Sequence, residues 1–288
     1  MKYKKTTVIL VLAIFLIGTL ASTPVKVVVA SKDAAPTNVN EKFEQGQLYA
    51  AQDNYPQAVE SYTEVIESDP DSMEAYRQRA ISLAKSGNYK QALQDYNTAI
   101  DLEPQDGQLF LERGQVQLVL NNIKAGLDDL SKAILLNSQL TDAYLLRGKV
   151  NAALGENDKA LQDFNSVLKQ EPKNITALLE RCKIYSFQQK FTAALADLDK
   201  ALLLKPENKA LLFELYYQRG NINFVLGNLE KVIADWDKAI QLNPNQADVY
   251  INRGIVNARL GKYEQAIADL NKAVEAGARQ GECIQQLG

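Results

Sequence analysis

The amino-acid sequence predicts an all-α solenoid of seven helical hairpins, and three observations predict it. The first is recurrence: Tyr250, Arg253-Gly254, Gly261, Ala266 and Asp269 are preceded, 34 residues or a near multiple earlier, by matching series. One copy is Tyr216/Arg219-Gly220/Gly227/Asp235, another Tyr144/Arg147-Gly148/Gly155/Ala160/Asp163, and a third Tyr76/Arg79-Ala80/Gly87/Ala92/Asp95. A fixed period of this size marks stacked supersecondary units, each too small to bury its own apolar face alone. The second observation is that every period holds two apolar-periodic segments of about 14 residues with a short turn between them, a helix–turn–helix pattern. The third is that Pro70, Pro104, Pro172, Pro206 and Pro244 close periods, as expected of a residue that lacks the N–H donor and restricts the residue before it.

Taken in order, residues 1–30 stand apart. Lys2, Lys4 and Lys5 precede the apolar run Val8 to Leu20, and Ala21-Ser22-Thr23-Pro24 follows, the plan of a secretory signal peptide. The run is shorter than the roughly 20 apolar residues of a spanning helix, but Val25 to Ala30 adds apolar surface, so an N-terminal membrane anchor stays open beside a cleaved signal. Either would send the remainder across a membrane, giving an extracytoplasmic protein that is secreted, periplasmic or anchored. Residues 31–38 read as a polar linker. Seven periods are then expected at 39–72, 73–106, 107–140, 141–174, 175–208, 213–246 and 247–280, with 281–288 as a cap or tail. Ser138 and Ala278 stand where two of the closing prolines would be. Lys209-Ala210-Leu211-Leu212 is an insertion close to one helical turn of about 3.6 residues, so it should lengthen the next helix almost in phase.

Aligned on this period, the eighth position is small (Gly46, Ala80, Gly114, Gly148, Cys182, Gly220, Gly254), as is the twentieth in most copies (Ala58, Ala92, Gly126, Ala160, Ala194, Val232, Ala266). The twenty-fourth is large and apolar (Tyr62, Tyr96, Leu130, Phe164, Leu198, Trp236, Leu270). Two helices approach closely only where neither carries a bulky side chain, and the large residue fills the space beside that contact. The pattern resembles the tetratricopeptide repeat (TPR) over nearly everything after residue 38, and the resemblance implies a right-handed superhelix whose first helices line a concave groove. A recurrence internal to the chain sits beside it: Arg79, Arg113, Arg147, Arg181, Arg219 and Arg253 at the seventh position and Asp95, Asp129, Asp163, Asp197, Asp235 and Asp269 at the twenty-third, with Gln45 and Ser61 there in the first copy. Repeated six times, it reads as a structural ion pair between the two helices of each hairpin.

Composition narrows the function. The chain has no histidine, which removes the commonest general base and transition-metal ligand. Two cysteines cannot build a zinc cluster alone, and Cys182 and Cys283 are too far apart along the array to bridge, so both are expected as free thiols. A net charge of −3 argues against nucleic acid, whose binding rests on a basic surface. No nucleophile–base set, glycine-rich phosphate loop or metal cluster is present, so no cofactor and no metal are expected. The expected function is a non-enzymatic scaffold or assembly factor that binds a protein or peptide partner at a membrane surface. The alternative is a substrate-recognition subunit for an enzyme whose catalytic chain is separate.

For the groove, the resemblance implies inward-facing second, fifth, ninth, twelfth and thirteenth positions, of which the last four supply the candidate residues. These give Phe43, Arg77, Leu111, Leu145, Leu179, Tyr217 and Ile251, then Lys149, Lys183, Asn221 and Ile255, then Phe187 and Phe224. The Lys/Asn/Lys/Arg set by which one TPR subclass grips a terminal carboxylate is not in phase, since Phe43 and Gln47 occupy the first repeat's places. Lys149 and Lys183 recur in successive repeats among apolar neighbours. They read either as long side chains laid over apolar surface or as a subsite for an acidic side chain or C-terminus.

Overall fold

The computed structural model describes residues 39–277. The signal or anchor segment, the linker, Ala278, Cys283 and the 281–288 tail lie outside the described residues. Among the described residues the regular structure is helical throughout, and two compact units divide at Gln170/Glu171. The first holds α1 (Val39–Ala51), α2 (Tyr55–Ser68), α3 (Met73–Lys85), α4 (Tyr89–Leu102), α5 (Gly107–Val119), α6 (Ile123–Leu136), α7 (Thr141–Leu154) and α8 (Asn157–Gln170). The second holds α9 (Ile175–Phe187), α10 (Phe191–Leu203), α11 (Lys209–Val225), α12 (Leu229–Leu242), α13 (Ala247–Arg259) and α14 (Tyr263–Glu275).

Each even-numbered helix buries one face, because residues spaced four and then three apart share a side of an α-helix. Ala58, Tyr62 and Val65 do so in α2, Ala92, Tyr96 and Ala99 in α4, Ala160, Phe164 and Val167 in α8, and Val232, Trp236 and Ala239 in α12. Each large side chain so buried contributes roughly 1.5–3 kcal/mol relative to exposure. Opposite these rings the odd-numbered helix must carry almost nothing. A Cβ added at Gly46, Gly148 or Gly220 would lie 2.6, 2.7 and 2.5 Å from the rings of Tyr62, Phe164 and Trp236.

The turn within each hairpin needs one residue in the left-handed region. Gly87, Gly155, Gly227 and Gly261 take it at φ 84°, 82°, 75° and 73°, while Asp53, Asn121 and Gln189 take it at 56°, 62° and 58°. Polar side chains able to bond locally tolerate that conformation better than most. Asn174 and Asn208 cap α9 and α11 by accepting hydrogen bonds from the Ala177 and Leu211 amides at 3.0 and 2.9 Å.

The Lys209–Leu212 insertion lengthens its helix as the sequence reading expects: α11 has 17 residues where α13 has 13. Leu211 and Leu212 are half-buried, so the added turn packs against its surroundings.

Candidate interaction site

All six sequence-predicted arginine–aspartate pairs form, each as a two-pronged contact. Nε donates to Oδ2 at 2.8–3.1 Å and Nη2 to Oδ1 at 2.5–2.8 Å. The aspartates are 3–7% exposed, so the carboxylates are held almost wholly by these bonds. Asn151, Asn223 and Asn257 add a third donor to Asp163, Asp235 and Asp269. Burial opposes the Arg219 and Arg253 charges, but their carboxylate bonds outweigh it and hold both guanidiniums above the ordinary range.

The pairs do more than join two helices. Nη1 of Arg79, Arg113, Arg147, Arg219 and Arg253 reaches back to the preceding hairpin, bonding Thr63, Asn97, Ser131, Asp199 and Asp237 at 2.5–3.0 Å. Each guanidinium also lies 5.4–5.9 Å from an aromatic centroid, on Tyr76, Phe110, Tyr144, Tyr185, Tyr216 or Tyr250, within reach of a cation–π attraction. A cleft of about 280 Å³ in the second unit, lined by Leu195, Asp199, Arg219, Asn223, Lys231, Ala234 and Asp235, lies over one such cluster, where Arg219 already pairs with both Asp199 and Asp235.

The sequence-predicted groove residues separate into three kinds. Leu111, Leu179 and Ile251 are 3%, 5% and 5% exposed and serve packing. The sequence reading places these three in the groove lining with the rest of the fifth column, but surrounding side chains cover them. Phe43, Leu145, Tyr217, Asn221, Phe224 and Ile255 are half-buried, and Phe187 is 78% exposed. Phe43 tilts onto Tyr62 at 5.5 Å, Tyr217 stacks on Phe213 at 5.7 Å, and Phe224 lies between Trp236 at 6.0 Å and the Arg259 guanidinium at 5.1 Å.

The third kind is charged. Arg77 grips the buried Glu112 through Nε and Nη2 at 2.6–3.2 Å and touches Glu74 at 3.4 Å. The bond to Glu112 raises its pKa against the effect of burial. Lys183 sits between Glu180 at 3.4 Å and Glu214 at 3.6 Å. Two carboxylates match that one cation, which removes the excess positive charge that an acidic ligand would seek there. Lys149, half-buried, belongs to the other unit. Gln115 is 7% exposed and its Oε1 has no hydrogen-bond partner among the described residues. Cys182 is free and fully buried, and burial pushes its thiol up to about 12, which keeps it protonated and inert. Among the described residues no three His, Cys, Asp or Glu side chains converge as metal ligands, and no helix is long and apolar enough to cross a membrane.

Sequence reasoning missed Glu112 and Glu214, which lie on neighbouring hairpins at no helical spacing from their partners. Glu74 and Glu180, three residues before Arg77 and Lys183, were detectable from spacing alone.

Family models described as tetratricopeptide repeat or TPR repeat match residues 43–107, 142–174, 220–261 and 247–276. The chain is a tetratricopeptide repeat protein. Its fold is accordingly the all-α TPR fold, and its role is protein–protein interaction. No curated protein matches this TPR chain in sequence. Among solved structures it is similar to YrrB, described as a TPR protein with an unusual peptide-binding site, at 26% identity over 61% of this chain and 90% of that one, TM-score 0.50. A tetratricopeptide repeat protein from Parabacteroides merdae aligns at 19% identity over 86% and 97%, TM-score 0.60. PilF of Pseudomonas aeruginosa aligns at 16% over 72% and 93%, TM-score 0.62. The last two likenesses concern the fold alone.

Proposed function

We propose that this TPR protein is a non-enzymatic scaffold that holds an apolar peptide or amphipathic helix against its odd-numbered helices, on the far side of a membrane. The observation that carries the reading is in the second unit. Phe187 closes α9 and Val225 closes α11 at the same repeat position, and they are 78% and 63% exposed, with Leu226 at 45%. The Lys183–Glu214 pair joins the same two helices. Half-buried Tyr217, Phe224 and Ile255 continue the apolar surface, and exposed apolar clusters of this kind mark interaction sites. Because Lys183 is matched by two carboxylates, the ligand is apolar instead of acidic. The similarity to YrrB, whose description names a peptide-binding site, supports a peptide-sized ligand.

The extracytoplasmic placement rests on Lys2, Lys4, Lys5 and the apolar run behind them, and the membrane would be reached through that segment if it is retained. A recognition subunit for a separate catalytic chain would use the same surface and differ only in its partner.

Crosslinking and mass spectrometry on the native membrane fraction would identify the bound segment. Phe187→Glu and Tyr217→Glu should each then weaken its binding by about 2 kcal/mol or more while circular dichroism stays unchanged. Wild-type affinity in both variants would overturn the reading.

A further inference from the structure

The last described helix presents a surface that the next hairpin occupies at other repeats within each unit. In α12, Leu229, Ile233 and Ile240 pack against a buried cluster that includes Val249 and Val256 of the following α13. In α4, Ile100 shares a buried cluster with Leu109 and Val116 of α5, and Tyr89 and Leu93 pack against the same cluster. The corresponding residues of α14 are Tyr263, Ile267 and Val274, and they are 68%, 60% and 38% exposed. The polar half of the interface is repeated as well. Asn271 holds the place of Thr63, Asn97, Ser131, Asp199 and Asp237, each of which accepts a bond from the next hairpin's arginine. Asn271 is exposed and makes no side-chain hydrogen bond among the described residues.

The helices that fill such faces share one side-chain order. An apolar residue is followed four positions later by arginine and three later by a second small or apolar residue: Leu109/Arg113/Val116, Leu215/Arg219/Ile222, Val249/Arg253/Val256. All the apolar members are at most 3% exposed. We infer that the outer face of α14 binds an amphipathic helix of another protein carrying this order, with its arginine on Asn271 and its apolar residues on Tyr263, Ile267 and Val274.

Two nearer occupants match less well. A second copy that extended the array would offer α1, whose equivalent places hold the exposed Glu41, then Gln45 and half-buried Leu48, so a carboxylate would meet the apolar stripe, and a second copy that offered its own α14 would bring no arginine to Asn271. Continuing the repeat frame past Gln280 puts Leu287 where the arginine belongs, leaving Asn271 unanswered. The inference is independent of the proposed groove, since α14 contributes nothing to that surface.

The test uses the full chain and a fluorescent peptide with the sequence of residues 246–261, which contains the required order. Isolated helices of about this length are marginal in water, so saturable binding is expected in the high micromolar range. Ile267→Asp in the chain should weaken it about tenfold or more, and Tyr263→Asp serves as the second variant if the first loses helicity. Arg253→Ala in the peptide should weaken binding about threefold, and that difference should vanish when the chain carries Asn271→Ala. Absence of saturation at millimolar peptide, or indifference to both aspartate variants, would overturn the inference. So would self-association of the chain that Ile267→Asp abolishes, which assigns the face to a second copy. Binding that appears only with Ile284→Asp would assign it to the chain's own tail and overturn the inference equally.

Discussion

In the first hairpin the seventh and twenty-third positions hold Gln45 and Ser61; in the last they hold Arg253 and Asp269. Gln45 donates to the Tyr49 hydroxyl and Ser61 returns its hydroxyl to the Gln57 carbonyl, so each is satisfied within its own helix. Arg253 instead bonds Asp269 in its own hairpin and Asp237 in the one before. If the ion pair served only to join two helices of one hairpin, the first would gain as much from it as the last. Its absence where no hairpin precedes among the described residues indicates that the arginine's distinctive work is between neighbours. A buried ion pair by itself is weak evidence for stability, whereas a guanidinium shared by three helices fixes how one hairpin sits on another.

The largest effect that tests this contrast should come from Arg219→Ala, which strands Asp235 at 4% exposure. Removing one member of a buried pair costs about 3–5 kcal/mol, read as a drop in the urea midpoint. A loss as small as that of Gln45→Ala, expected below about 0.5 kcal/mol, would break the comparison. Gly220→Ala should follow, at about 1–3 kcal/mol for overpacking, because the new methyl meets the Trp236 ring. Gly254→Ala should lose less, since its nearest obstacle is the Ala266 carbonyl at 3.3 Å; equal losses would remove ring contact as the cause. Asp237→Ala, which deprives Arg253 of its backward bond, should cost about 1 kcal/mol, while Asn271→Ala should leave stability of the isolated chain unchanged. Smallest of all is the double substitution Gln45→Arg with Ser61→Asp, expected to gain less than about 0.5 kcal/mol. A gain of several kcal/mol would show that the pair stabilises without a preceding neighbour.

Much of this architecture was legible because it depends on local spacing. The small eighth position, the large twenty-fourth and the Arg–Asp columns each recur at one offset, and recurrence is visible without knowing what touches what. The backward bond was not legible, since its acceptors Thr63, Asn97, Ser131, Asp199 and Asp237 share only the ability to accept a hydrogen bond. The ring beside Arg181 was hidden differently: Leu178 occupies the usual aromatic place and Tyr185, two turns further along the same helix face, supplies the ring instead. In the groove, the sequence offered a column of apolar residues and no means of telling Leu111, Leu179 and Ile251, which neighbours cover, from Phe187, which they do not. That distinction depends on the size of side chains on other helices. The pairing of Lys183 with Glu214 was equally remote from any helical period.

The four residues inserted ahead of Leu215 have a consequence for how such a chain can change length. Arg219 reaches Asp199 across 20 positions, where Arg253 reaches Asp237 across 16, and both bonds form. The difference equals the insertion. At about 3.6 residues per turn, four added residues return the arginine to within some 40° of its former bearing, whereas one or two would swing it far around the helix axis and away from its acceptor. Insertions at this junction are therefore quantised: the chain can grow there by whole turns and keep its neighbours in register, and intermediate lengths would have to sacrifice the ladder.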